Sequence, residues 1–191
     1  NYLLPLPKQK LSVANNRAKK SIKFIAMNYF NEEQHFRQKL LWLVILFFPA
    51  FSLYGIYQQV MMGNVIGDKP LSDEGIITFS LLVGLGLPVL FWFMKLKLRV
   101  SSEGLHYQFF PIHIKERLIA FKDIKSYKAR TYSPIKEFGG WGIRFGFESK
   151  AYNVSGDKGL QIELTNGRKV LFGSQQHQAL AKAMKKAQNA S

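Results

Sequence analysis

The chain has 191 residues, with 27 Lys/Arg against 12 Asp/Glu for a formal net charge of +15, and it contains no cysteine. Without cysteine there is no disulfide framework, no thiolate metal site and no cysteine nucleophile. The length leaves room for one small folded domain beside any membrane segment.

Residues 1–26 are polar and basic, with Pro5, Pro7, Asn15 and Asn16, and with Arg17, Lys19, Lys20 and Lys23 among small residues. No apolar stretch of the signal-peptide type precedes Leu40. Residues 1–30 therefore read as a basic N-terminal tail, in which Ser21 to Ala26 can form a short amphipathic turn on lipid headgroups. Met27 opens a stretch that itself reads as a natural N-terminus, which would make residues 1–26 an upstream extension. Asn31-Glu32-Glu33-Gln34 carries the marks of a helix start: Asn as N-cap, acids in the first turn and Gln at the capping-box spacing.

Leu40 to Gly67 contains no Lys, Arg, Asp or Glu, and neither does Gly75 to Met94. About 18 apolar residues suffice to cross a hydrocarbon core of roughly 30 Å. Residues 31–94 thus read as a transmembrane helical hairpin with spans at about 40–58 and 75–94. Trp42 and the run Phe91-Trp92-Phe93 mark one interface, Tyr54 and Tyr57 the other. Pro49 and Pro88 predict kinks, and Ser72-Asp73-Glu74 predicts a cap on the second helix. Gly84 and Gly86 are the candidate helix-packing residues, since small side chains let helices approach closely.

The charges are unevenly spread. Residues 1–39 carry eight bases and two acids, the loop from Gln58 to Glu74 one base and three acids, and the chain from Lys95 onward eighteen bases and seven acids. The positive-inside rule then predicts both ends in the cytoplasm and the loop outside. Neither span contains an ionisable residue. Ion and proton paths usually need one, so the spans read as an anchor with a packing face for other membrane helices. Basic flanks also attract anionic headgroups, so membrane lipids, not nucleic acid, are the expected polyanionic partner.

Beyond Lys95 the hydrophobic period changes to two. Leu96, Leu98 and Val100 alternate with Lys97, Arg99 and Ser101, and a turn at Ser102-Glu103-Gly104 leads to a second alternating run, Leu105 to Phe109. Further strands are predicted at Arg117–Phe121, Ile124–Tyr132, Gly142–Phe147, Lys150–Val154, Leu160–Thr165 and Lys169–Phe172, the last two joined by a hairpin at Asn166-Gly167. Gln175 to Ala187 reads as a helix with Leu180, Ala183 and Met184 on one face. Residues 95–191 are therefore expected to form a small mainly-β barrel or sandwich, closed by the C-terminal helix.

Two segments are dense in chemistry: Tyr132 to Arg144, with Ser-Pro-Ile-Lys-Glu-Phe-Gly-Gly-Trp-Gly-Ile-Arg at its heart, and Lys150 to Gly159, with Ala-Tyr-Asn-Val-Ser-Gly-Asp-Lys-Gly. Together with Phe-Arg-Gln before the first span, these motifs resemble a group of uncharacterised bacterial membrane proteins in which a two-helix transmembrane hairpin precedes a PH-like domain. The likeness runs from Met27 to about Met184 and omits the basic tail. It implies a PH-like fold and a bacterial inner-membrane location, and it carries no activity with it.

Lys122, Lys125, Lys128, Arg130 and Lys136 form the candidate basic face for a partner or a lipid headgroup, with Trp141 and Arg144 beside it. The opposing expectation is a solvated strand face with Glu137 and Glu148 as local partners, and for Trp141 a place in the barrel core or rim. Gly156-Asp157-Lys158-Gly159 lacks phosphate-loop spacing, and no helix follows it. No histidine pair has metal-ligand spacing, and no Gly-x-Ser-x-Gly elbow or Ser/His/Asp set stands out. The expected function is thus non-enzymatic, without cofactor or metal: an accessory subunit docking on a membrane-protein partner, or alternatively a sensor of anionic lipid headgroups.

Overall fold

The computed structural model describes residues 28–64, 67–68 and 70–190. The predicted tail segment 1–26, Met27 and Lys69 lie outside the described residues.

The first element overturns the helix start read at Asn31. Phe30–His35 is a strand, β1, paired antiparallel with β2 (Lys95–Ser101) from Phe30↔Val100 to His35↔Lys95. The cause is visible in its inward side chains, which are polar. Glu32 is buried and accepts hydrogen bonds from the Ser174 hydroxyl and, at 2.9 Å, from the Gln175 N–H. Gln34 is buried too and donates to the Gly173 carbonyl at 2.8 Å. A strand whose core face reads Glu-x-Gln has no apolar alternation to betray it. The helical hairpin is therefore inserted between two neighbouring strands of one sheet.

The hairpin consists of α1 (Lys39–Met61) and α2 (Asp73–Phe93). At 23 and 21 residues and about 1.5 Å per residue, both are long and apolar enough to cross a membrane. Only 17% and 11% of their most apolar windows are buried, unlike a core helix of a soluble domain. The predicted cap holds: Ser72 Oγ accepts the Gly75 N–H at 3.1 Å. α1 ends in a π-helical turn, Tyr57–Met61, and α2 widens into one at Ser80–Leu85. The second lies just before Pro88, which has no N–H for the carbonyl of Gly84.

The two helices meet through small residues. A Cβ at Gly84 would fall 2.7 Å from Ser52 Oγ, and one at Gly55 would fall 3.0 Å from Ile76 Cδ1. Gln59 ties the far end, donating to the Leu71 carbonyl at 2.7 Å and to Asp73 Oδ1 at 2.9 Å.

The strands after Lys95 follow the alternation closely. β2, β3 (Gly104–Phe110) and β4 (Arg117–Ala120) complete a four-stranded sheet in the order β1-β2-β3-β4. β5 (Ile124–Thr131), β6 (Gly142–Phe145), β7 (Ser149–Asn153), β8 (Lys158–Leu164) and β9 (Lys169–Gly173) form a second sheet, ordered β5-β8-β9-β7-β6. β8 and β9 make the predicted Asn-Gly hairpin, while β7 and β9 pair in parallel. A short helix, α3 (Pro134–Phe138), leaves β5, and α4 (His177–Gln188) ends the chain.

Neither sheet closes on itself, so the barrel alternative is corrected to two open sheets with a C-terminal helix. The five-stranded sheet has an internal parallel pair and ends on β6, a short edge. Both sheets and α4 share one core: Leu96, Leu98, Val100 and Phe109 from the first, Leu160, Ile162 and Phe172 from the second, and Leu180, Ala183, Met184 and Ala187 from the helix. That last set has the i, i+3, i+4, i+7 spacing of one helical face. Phe36 joins the hairpin to this core, meeting Phe91 and Phe109 edge-on with centroids 5.6 and 6.1 Å away.

Candidate docking groove on the second sheet

The five-stranded sheet turns its other face outward and bears a groove of about 830 Å³. Strand order creates it. Ser126, Glu163, Lys169 and Ser149 are register partners across β5, β8, β9 and β7, so they stand side by side on one face. Lys128 and Gln161 form the next rung across β5 and β8. α3 lies above, anchored by buried Phe138, which packs with Tyr132, Ala151 and Leu171 in a small second cluster. It adds Lys136 and Glu137 to the wall. The β6–β7 turn adds Phe147, whose side chain is fully exposed, and Glu148.

The charges in the groove are largely paired. Arg130 grips Glu137 with its two terminal guanidinium nitrogens, at 2.7 and 3.2 Å, and donates to Gln161 Oε1 from Nη2 and Nε at 3.0 and 3.1 Å. Glu137 in turn accepts the Ser133 N–H at 2.7 Å. The Arg130 hydrogen bond holds the Glu137 carboxyl below its usual range, against a smaller upward push from burial. Lys125 reaches Glu163 at 2.6 Å and Lys169 reaches Glu148 at 2.8 Å, and each lysine lowers its partner's pKa. Lys128 and Lys136 make no ion pair among the described residues. The result is a face of alternating sign with two uncommitted lysines and an exposed phenyl ring.

Of the residues proposed from sequence, Lys128, Arg130 and Lys136 come together here and Lys125 stands at the rim through Glu163. Lys122 is exposed on the short turn before β5, outside the groove. Trp141 is half-buried against the main core and donates its Nε1–H to the Gly156 carbonyl at 2.9 Å, a rim position. Arg144 is exposed on β6 and donates to the Trp141 carbonyl at 2.8 Å. Gly84 packs against Ser52 inside the hairpin, and a Cβ at Gly86 would meet only the Leu81 carbonyl of its own helix.

Glu163, Lys169 and Phe147 were not singled out from sequence, whereas Glu148 was read as a local acidic partner and pairs with Lys169. Only the order β5-β8-β9-β7 brings them beside Lys128, and nothing local announces that order. The sole local signal was the Phe145-Gly146-Phe147 turn, with two large rings beside a turn residue.

The groove runs along the strands, with Arg130 and Glu137 toward one end and Phe147 toward the other. Gln38, one residue before α1, donates to the Val154 carbonyl just past the end of β7, at 2.5 Å. The turn carrying Phe147 lies at the opposite end of β7. Ser126 and Lys128 lie toward the same far end, since β5 runs from Ile124↔Leu164 to Thr131↔Lys158 while β8 and β9 turn at Asn166-Gly167.

Among the described residues no group of three His, Cys, Asp or Glu could hold a metal ion. His113 is buried between the rings of Tyr107 and Tyr152, and burial, with Arg117 and Lys150, pushes its imidazole below the usual range. His106 is lowered by burial and by Arg99, which together outweigh Glu116.

Comparison with family models, curated proteins and solved structures returns no match for this chain.

Proposed function

We propose that the chain is a membrane-anchored binding module without catalytic chemistry. Its hairpin holds a PH-like β module against the cytoplasmic face of a bacterial inner membrane, as an accessory subunit of a larger membrane-protein complex. The outward-facing apolar surfaces of α1 and α2 support the anchor, since Leu43, Phe47, Leu53, Leu82 and Leu85 are all exposed. The acidic loop and basic flanks support the orientation.

The observation that carries the binding reading is the groove's charge pairing. An anionic headgroup would need free cations at the bilayer side. Here Arg130, Lys125 and Lys169 are engaged by acids, which leaves only Lys128 and Lys136 of the groove's cations without an ion pair among the described residues. Alternating charge beside an exposed phenyl ring suits a protein segment of complementary pattern. Headgroup sensing by the basic face remains the alternative reading.

Purification in mild detergent from native membranes, wild type beside a Lys128→Glu/Lys136→Glu variant, separates them. The docking reading expects a stoichiometric membrane protein with the wild type that is lost in the variant. A clean wild-type isolate that instead binds anionic vesicles in a salt-sensitive way, with the variant failing, supports the alternative.

A further inference from the structure

We propose that the loop between β3 and β4 is a third membrane contact, with Ile112 and Ile114 inserted into the interfacial layer of the bilayer that the hairpin spans. The inference rests on the membrane reading of α1 and α2 and goes beyond it by fixing how the β module sits on the surface.

Register puts the loop at the right end of the molecule. Phe110, the last residue of β3, is the partner of Lys95, the first of β2, and α2 ends two residues earlier at Phe93. Antiparallel partners lie about 5 Å apart, so the loop leaves the sheet beside the exit of α2. Trp92 and Phe93 mark the level of that exit and are both exposed. The opposite turn, Ser102-Glu103, stands the length of β2 away, about 23 Å at 3.3 Å per residue.

The loop is built to present its two isoleucines. His113 between them points inward and is buried against Tyr107 and Tyr152. Its N–H donates to the Phe109 carbonyl at 2.7 Å, and the Gln108 side chain donates to the carbonyls of His113 and Ile114 at 3.1 and 2.8 Å. With His113 turned in, Ile112 and Ile114 are turned out, 59% and 82% exposed. Two bare isoleucines on a loop held by hydrogen bonds are costly in water and favourable in an interfacial layer about 5–10 Å deep.

Charge agrees. Glu116, the acid of the loop, is engaged by Arg99 and lies 3.3 Å from His106, so it is turned toward the sheet. Lys115 stays exposed beside Ile114, placed for an anionic headgroup.

The absence of cysteine allows a direct test on the full-length chain reconstituted in vesicles. Single-cysteine variants Ile112→Cys, Ile114→Cys, Glu103→Cys and Leu46→Cys would each carry an environment-sensitive fluorophore. Labels at 112 and 114 should shift to the blue and lose emission to a quencher on the upper acyl chain, yet resist iodide in the water. The label at 103 should show the reverse, and the label at 46, mid-span, should respond to deep acyl quenchers. If 46 is quenched from the lipid while 112 and 114 behave like 103, the loop contact is wrong and the anchor stands. If 46 is not quenched from the lipid, the anchor itself fails and takes the loop contact with it.

Discussion

In the hairpin the buried positions include Ser52, Gly55, Gln59, Ser80 and Gly84, while Leu43, Phe47, Leu82 and Trp92 face outward. In the β module the buried positions are Leu96, Leu98, Phe109, Leu160 and Phe172, and the outer face of the second sheet carries Lys128, Glu163 and Lys169. The same chain thus sorts its side chains in opposite senses on either side of Phe36. The β module gains stability by removing apolar area from water. Helices placed in lipid would gain nothing that way, and the contact between α1 and α2 consists of close approach and hydrogen bonds such as that of Gln59 to Asp73. Inserting the hairpin between β1 and β2 makes both regions share one pair of strands, so disturbance of either should be felt through Phe36 and the Glu32 clasp.

The largest expected effect contrasts two truncations. Phe172→Ala empties a fully buried site stacked on Tyr152 and should cost about 3–5 kcal/mol in denaturant unfolding of the β module. Leu82→Ala, on the outward face of α2, should stay within about 0.5 kcal/mol in the same assay in detergent. Equal costs would break the contrast between the regions.

Enlarging the glycines comes next. Gly84→Leu drives a side chain into Ser52 and should destabilise the hairpin by about 1–3 kcal/mol, read as thermal loss of helix pairing in detergent. Gly86→Leu meets only its own helix at 3.6 Å and should be much milder. Glu32→Ala leaves the buried Ser174 hydroxyl and the Gln175 N–H without their acceptor, at about 1–3 kcal/mol. Amide exchange should then rise in β1 before it rises in β8 or β9.

The smallest effect is a pH dependence. Glu33 lies among Lys95, Lys97 and His35 on the outward face of β1. The Lys95 hydrogen bond, helped by Lys97 against some desolvation, lowers its pKa from 4.5 to about 2. A depressed carboxylate stabilises the fold above its unfolded pKa and loses that contribution as pH falls. The β1–β2 pairing should therefore weaken between pH 4.5 and about 2. Glu33→Gln should flatten that part of the acid-unfolding curve. The carboxylate is partly exposed, so the change should also shrink in high salt.

Much of this architecture was legible from local patterns. The alternation of Leu96, Leu98 and Val100 gave β2, Asn166-Gly167 gave the β8–β9 hairpin, and the face of Leu180, Ala183 and Met184 gave α4. β1 was hidden because Glu32 and Gln34 point inward, bonded to residues some 140 positions away. The same limit governs the groove. Lys128, Arg130 and Lys136 are close in sequence and were read together. Glu163 and Lys169 join them only through sheet order, and their pairing changes a basic patch into a face of mixed sign.

The measurement that bears most directly on the account is the sidedness of the two ends of the molecule. Met62→Cys places a thiol at the tip of the hairpin, and Glu103→Cys places one at the far end of the β module. A membrane-impermeant thiol reagent, applied to right-side-out and to inverted membrane vesicles, reads them separately. The account predicts that position 62 reacts only in right-side-out vesicles and position 103 only in inverted ones. Reaction of both thiols from the same side would contradict a spanning hairpin.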